Sequence, residues 1–176
     1  MIETLISSKT RVKLLLKFFL NSEVRSYLRQ LEGEFGESSN AVRVELNRLE
    51  QAGLLRSQSK GNKRYFQANR EHPLFEDIHS IVRKYIGIDR IILEVVKKLG
   101  EVEEVYLSGD FALGKNSPVI DIIIIGDIDK AYLTQLIEKA EHLIKRKIKY
   151  LIYSGSERKL FHTHHNKATS LLLWKK

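Results

Sequence analysis

The residues of this chain best suited to chemistry lie in two neighbouring stretches. The first, Ser108-Gly109-Asp110-Phe111-Ala112-Leu113-Gly114, is a short turn bounded by glycines and followed by Lys115. Glycines in such a turn let backbone N–H groups approach a phosphate, and a lysine beside them adds positive charge. The second, Pro118-Val119-Ile120-Asp121-Ile122-Ile123-Ile124-Ile125-Gly126, is an apolar run carrying one carboxylate. A carboxylate there can contribute to a magnesium site, but magnesium wants several oxygen ligands in near-octahedral array. Asp121 alone does not supply them.

The elements that position these residues read as alternating strands and helices. Val102 to Leu107 reads as a strand, Val119 to Ile125 as a buried strand, Lys130 to Ile144 as a helix and Lys147 to Tyr153 as another strand. Ser170 to Trp174 is a last strand or a cover. Asp127 and Asp129 form a second Asp-x-Asp pair, but they lie just before a helix, where one of them serves as its N-cap. His162, His164 and His165 cluster near the end of the chain, in a stretch that reads as a solvated loop rather than a metal site.

This order of strand, glycine-bounded turn, strand, helix and strand resembles the minimal nucleotidyltransferase fold over about residues 88–153. The resemblance implies that Ser108, Gly109, Asp110, Gly114, Lys115 and Asp121 occupy the nucleotide-binding positions. In that family the second strand presents two aspartates one residue apart, and a third carboxylate lies on a later strand. Here Val119 takes the first aspartate position, Asp110 replaces the serine after the first glycine, and Lys147 to Tyr153 contains no acid. Asp110, in the loop facing the strand, is the one candidate substitute for a missing ligand. Metal-dependent nucleotidyl transfer needs those carboxylates, so the resemblance implies a kept scaffold with an inactive centre. A non-catalytic nucleotide remains a candidate ligand.

The N-terminal half carries a different pattern. Val12, Leu15, Leu16 and Phe19 recur at helical spacing behind Ser7 or Ser8 as N-cap. A second helix is expected from about Val24 to Glu34, closed by Gly36. A third begins at Ser38 or Ser39, buries Val42, Leu46 and Leu49, runs to about Ala52 and stops at Gly53. Leu54 to Arg70 then reads as a hairpin around Ser59-Lys60-Gly61-Asn62, with five basic residues and no acid. Three helices followed by a basic hairpin resemble the winged helix-turn-helix of ArsR/MarR-like repressors over residues 5–70. With Val42, Leu46 and Leu49 inward, the third helix turns Asn40, Arg43 and Asn47 outward. Arginine and asparagine make bidentate contacts with guanine and adenine edges in the major groove. Ser38 and Ser39 at the helix start can hold a phosphate. Lys60, Lys63 and Arg64 of the hairpin can reach the DNA backbone or minor groove.

Between the halves, Leu74, Ile78, Ile81, Val82 and Tyr85 form an apolar stripe behind Pro73, and Ile91, Ile92, Val95, Val96 and Leu99 form a second beyond Gly87. Each is a candidate for packing inside the chain or for self-association as a homodimer.

Composition agrees with a folded, nucleic-acid-binding chain. Of 176 residues, 43% are hydrophobic, enough for a core. The net charge of +8 is uneven: up to residue 70 there are 13 Lys/Arg against 7 Asp/Glu. That surplus favours a polyanionic partner. The absence of cysteine excludes disulfides and thiolate metal sites and fits a reducing cytoplasmic setting. No run approaches the roughly 20 apolar residues of a membrane span.

The reading is an α+β protein: an N-terminal winged helix-turn-helix that binds DNA (1–70), a connecting helix (71–87) and a C-terminal nucleotidyltransferase-like α/β domain with a mixed sheet (88–176). Its expected role is transcriptional regulation as a homodimer bound to double-stranded DNA, with no resident cofactor. The second domain would sense a nucleotide or other small-molecule effector, or hold the dimer together. The alternative is an active, magnesium-dependent nucleotidyltransferase that recruits its substrate through the winged helix.

Overall fold

Ser8 stands in extended conformation and its hydroxyl accepts from the Arg11 N–H at 3.2 Å, which starts helix α1 (Lys9–Phe19). In the computed structural model, which describes residues 6–164 and 169–176, the chain divides into two compact units, Met1–Tyr85 and Ile86–Lys176. Among the described residues no helix is long and apolar enough to cross a membrane.

In the first unit α1 is central: Leu14, Leu16, Phe18 and Phe19 are fully enclosed. It is followed by β1 (Ser26–Tyr27), α2 (Leu28–Phe35), α3 (Ser39–Gln51), β2 (Leu55–Lys60) and β3 (Lys63–Ala68). The expected helix from Val24 is thus shorter than its apolar pattern indicated. Ser26 and Tyr27 instead pair antiparallel with Phe66 and Tyr65, giving a three-stranded sheet of order β1-β3-β2. A ladder with a neighbouring strand satisfies their backbone groups as well as a helical turn does. Gly36 closes α2 in the left-handed conformation.

The β2–β3 register pairs Lys60 with Lys63 across a two-residue Gly61-Asn62 turn. Strand alternation then sends Leu55, Phe66 and Ala68 into the core and Arg56, Gln58, Tyr65 and Gln67 to the outer face.

Helix α4 (Phe75–Ile86) buries Phe75, Val82 and Ile86, whereas Leu74 and Ile81 of the expected stripe are half exposed. The true inner stripe is rotated because Phe75 stacks 5.7 Å from Phe19 and His79 Nδ1 meets the Phe19 carbonyl. Two ion pairs, one buried and one partly buried, fix the helices to each other. Lys17 Nζ lies 2.7 Å from Glu34, and Arg11 Nε lies 2.8 Å from Glu45. Burial by itself would raise the Glu45 carboxyl. Hydrogen bonds from Arg11 and Ser8 and the charges of Arg11 and Arg48 outweigh that and hold it below the usual carboxylate range.

In the second unit α5 spans 88–99, with α-helical ends at Ile88–Ile91 and Lys97–Leu99 and a π-helical middle at Ile92–Val96. There follow β4 (Val102–Ser108), a single turn α6 (Gly109–Ala112), β5 (Val119–Gly126), α7 (Lys130–Ile144), β6 (Lys147–Tyr153), a 3₁₀ turn at Gly155–Glu157, α8 (Arg158–His164) and β7 (Leu171–Lys175). The sheet is mixed, in the order β6-β5-β4-β7: β5 and β6 are parallel and the other pairs antiparallel. The central strand β5 is a nearly continuous apolar run, as a strand covered on both faces requires. Val119, Asp121, Ile123 and Ile125 share one of its faces, and Phe161 of α8 packs on Ile123 and Ile125. Asp129, not Asp127, caps α7, accepting from Ala131 and Tyr132 at 2.8 and 3.1 Å. The histidine stretch expected as a loop is helical through His164. His165 lies outside the described residues.

Candidate functional site

In the first unit, Ser38 caps α3 by accepting from the Ala41 N–H at 3.2 Å. The cap sets the helix start, and Asn40, Arg43 and Asn47 follow on one side. The side chains of these three make no hydrogen bond or ion pair with another described residue. Two other expected contact residues are engaged within the fold. Ser39 Oγ donates to Glu32, and the Arg64 guanidinium reaches both carboxylate oxygens of Glu50 at 2.7 Å and the Ser57 hydroxyl at 2.8 Å. Arg64 therefore ties the hairpin to α3 while its outer atoms remain half exposed. Lys63 lies over the Tyr27 ring, 4.4 Å from its centre, and Lys60 is exposed on β2.

A concavity of about 670 Å³ opens between α2, α3 and the hairpin. Arg29, Arg43, Asn47, Asn62 and Lys63 reach it. Sequence reading found Arg43, Asn47 and Lys63, but not Arg29 or Asn62. Arg29 sits on α2 with no periodic signal to mark it, and Asn62 reads as a turn residue. Only the packing of three separate elements brings them to one wall.

In the second unit, the glycine turn and the single aspartate do meet. Ser108 and Asp121 are register partners, and Ser108 Oγ donates to the Asp121 carbonyl at 3.3 Å. Gly109 has φ +63°, and a Cβ placed on it would fall 2.5 Å from Asp121 Oδ2. The turn closes on itself through Leu113 N–H to Gly109 O, Gly114 N–H to Phe111 O at 2.9 Å and Lys115 N–H to Asp110 O at 2.8 Å. Asp110 is exposed on α6, while Gly114 is buried.

These residues do not fit a magnesium ion. On its other side Asp121 is in register with Lys149, and Val119 with Lys147. Register partners on adjacent strands present side chains to the same face. The strand that would bring a further carboxylate thus carries lysines at these positions, Lys147 being paired with Glu141 at 2.7 Å, so no second carboxylate stands beside Asp121 on it. Among the described residues no cluster of three or more His, Asp or Glu side chains can hold a metal.

The densest polar cluster of this unit lies at the other end of the same face. Glu104 of β4 has a side chain only 2% exposed. It receives the Tyr106 hydroxyl at 2.7 Å and the Arg158 guanidinium, with His162 Nε2 at 3.0 Å and Lys175 Nζ at 3.4 Å. Burial pushes the Glu104 carboxyl up, and the hydrogen bonds of Tyr106 and Arg158 with the charges of Arg158 and His162 more than reverse it. Burial and the bond to Glu104 push the Tyr106 phenol up to about 12. Sequence reading picked out only His162, and as part of a solvated loop, because the members of this cluster come from β4, α8 and β7.

Solved structures with local similarity exist. They include a tri-AMPylated HEPN toxin in complex with MNT antitoxin from Shewanella oneidensis (14% identity over 51% of this chain and 71% of that one, TM-score 0.39). A mutant of the toxin–antitoxin pair MntA-HpeT is also similar (17% identity, 51% and 72% coverage, TM-score 0.39). So is a candidate nucleotidyltransferase from Sulfolobus solfataricus (22% identity, 56% and 86% coverage, TM-score 0.36). No protein-family model matches the chain, and no curated protein matches it.

Proposed function

We propose that the first unit is a winged helix-turn-helix that binds double-stranded DNA, and that the chain is a transcriptional regulator. The observation that carries this is the open cationic wall on which Arg43 and Asn47 of α3 and Lys63 of the hairpin converge. Arg43 and Asn47 are spent on no internal bond, so their donors and acceptors are available to base edges. The Ser38-capped start of α3 leaves backbone N–H groups free to meet a phosphate.

The second unit, in this reading, is a nucleotidyltransferase-like domain without metal-dependent chemistry. Its support is the pairing of the Gly109 turn with Asp121 and the substitution of lysine for carboxylate on the adjoining strand. It would serve as an effector-sensing or homodimerising element of the regulator.

The test is duplex binding at a series of salt concentrations. Phosphate contacts release counterions, so affinity for a duplex should fall linearly on a log–log plot, with a slope near −0.9 for each phosphate neutralised. Salt-independent binding, or none at low salt, would remove the regulator reading.

A further inference from the structure

The outer face of the β1-β3-β2 sheet carries a combination that the duplex reading does not use. Tyr65 of β3 and Tyr27 of β1 are register partners, half exposed, with ring centres 5.4 Å apart in an edge-to-face arrangement. Lys63 caps the Tyr27 ring from above. Beside the tyrosines, on the same face by strand alternation, stand Arg56, Gln58 and Lys60 of β2. Arg25 joins them from the residue before β1, its Nε donating to Gln67 at 3.0 Å. Tyr65, Arg25, Arg56, Gln58 and Lys60 line a shallow groove of about 860 Å³, and Tyr27 and Lys63 stand at its border, where they line the concavity beside α3.

Three features distinguish this groove from an ordinary solvated sheet face. The chain from Leu54 to Arg70 contains five basic residues and no acid, so the charges it contributes itself are all positive. One neighbouring carboxylate, Glu71, pairs with Arg56 on an exposed surface where both side chains are more than half accessible, an arrangement easily exchanged for another anion. The Gln58 side chain makes no hydrogen bond with a described residue, which leaves an amide with two donors and an acceptor lining the groove.

We infer that this face binds single-stranded nucleic acid. Unpaired bases stack on the partly exposed Tyr65 ring, and Arg25, Lys60 and Lys63 follow the backbone phosphates. Double-stranded DNA keeps its bases stacked inside and has no face to offer an aromatic ring, whereas a single strand can splay its bases onto a sheet. Each six-residue strand of the hairpin spans about 20 Å at roughly 3.3 Å per residue, room for a few nucleotides. Gln58 reaches base edges, so it can add selectivity to stacking that by itself tolerates any base. The inference rests on Tyr65, Arg25 and Gln58, and the duplex reading on α3; Lys63, at the border of the two surfaces, is the one residue both use.

The test is fluorescence anisotropy of the full chain with a labelled oligothymidylate of about 12 nucleotides and, separately, a duplex of similar length. Wild type should bind the oligothymidylate. Tyr65→Ala should weaken that binding about tenfold and leave duplex affinity unchanged, while Tyr65→Phe, which keeps the ring, should retain it. Because loss of a half-buried tyrosine can disturb the sheet, Gln58→Glu supplies a second variant at an exposed position. The charge it adds should repel the strand and weaken binding severalfold. No oligothymidylate binding by wild type, unchanged binding in both Tyr65→Ala and Gln58→Glu, or equal losses on both nucleic acids would overturn the inference. Retained single-strand binding with no duplex binding would instead remove the duplex reading and leave this one standing.

Discussion

Lys149 stands in register with Asp121 on the adjacent parallel strand, on the same face of the sheet. The position on β6 where a further carboxylate would have to stand beside Asp121 is therefore held by a lysine. Asp121 instead serves the fold, its carbonyl accepting from Ser108 and its carboxylate lying against the Gly109 backbone.

Val119→Asp alone should therefore fail to create a magnesium site or nucleotidyl transfer. The double variant Val119→Asp/Lys149→Asp should bind magnesium in the millimolar range, because it supplies three carboxylates on one face and removes the opposing charge. Isothermal calorimetry with magnesium decides this. Heat of binding from wild type or from the single variant would show that Asp110 or another acid completes a site.

Gly109→Ala should destabilise the second unit by about 1–3 kcal/mol, since the position has φ +63° and its Cβ would collide with Asp121 Oδ2. Adding Asp121→Ala should recover the steric part and leave the backbone part. Chemical denaturation of wild type, the two single variants Gly109→Ala and Asp121→Ala, and the double variant separates the two. Gly126→Ala should cost more, because there the clash is with the Glu101 carbonyl, which is main chain and cannot rotate away.

The Glu104 cluster makes stability pH-dependent at both ends. Its carboxyl is depressed in the folded state, so the stability it contributes is present above the ordinary carboxylate range and is lost as pH falls through the folded value. Tyr106 is raised to about 12, so its share is fully present below the ordinary phenol value and is lost as pH rises toward 12. Glu104→Gln should remove most of the acid-side dependence and cost about 1–3 kcal/mol near neutrality. The figure stays modest because Arg158, His162 and Lys175 are each more than a third exposed and can turn to water. Denaturation midpoints from pH 3 to 7 and ultraviolet titration of the tyrosines read the two effects.

Arg43→Ala should weaken binding to a cognate duplex by about 1–3 kcal/mol and affect random DNA far less, because a base-reading side chain carries sequence information. Lys63→Ala should weaken both about equally and shallow the salt slope by about one unit. Competition assays with specific and random duplexes measure both. Equal losses for both variants on both DNAs would deny Arg43 a reading role.

The amino-acid sequence by itself was enough to place α1, α3, the hairpin, α7 and the strands β4 to β6 within a residue or two. Their apolar periods are strong, and Ser8, Ser38, Asp129 and Gly36 mark the ends by local hydrogen bonding that needs no tertiary partner. It also isolated the Ser108–Gly114 turn and Asp121 as the residues to watch. What it could not settle is anything decided by a partner far along the chain. The short strand at Ser26-Tyr27 exists because β3 offers it an edge. The inner stripe of α4 follows Phe19 rather than its own best pattern. Arg64 is drawn to Glu50, Lys149 is set beside Asp121, and Tyr65 beside Tyr27, by register alone. Local spacing dictates which elements form, but which side chains share a face is a property of how strands pair and helices pack. In this protein those pairings, more than the motif, determine what each surface can bind.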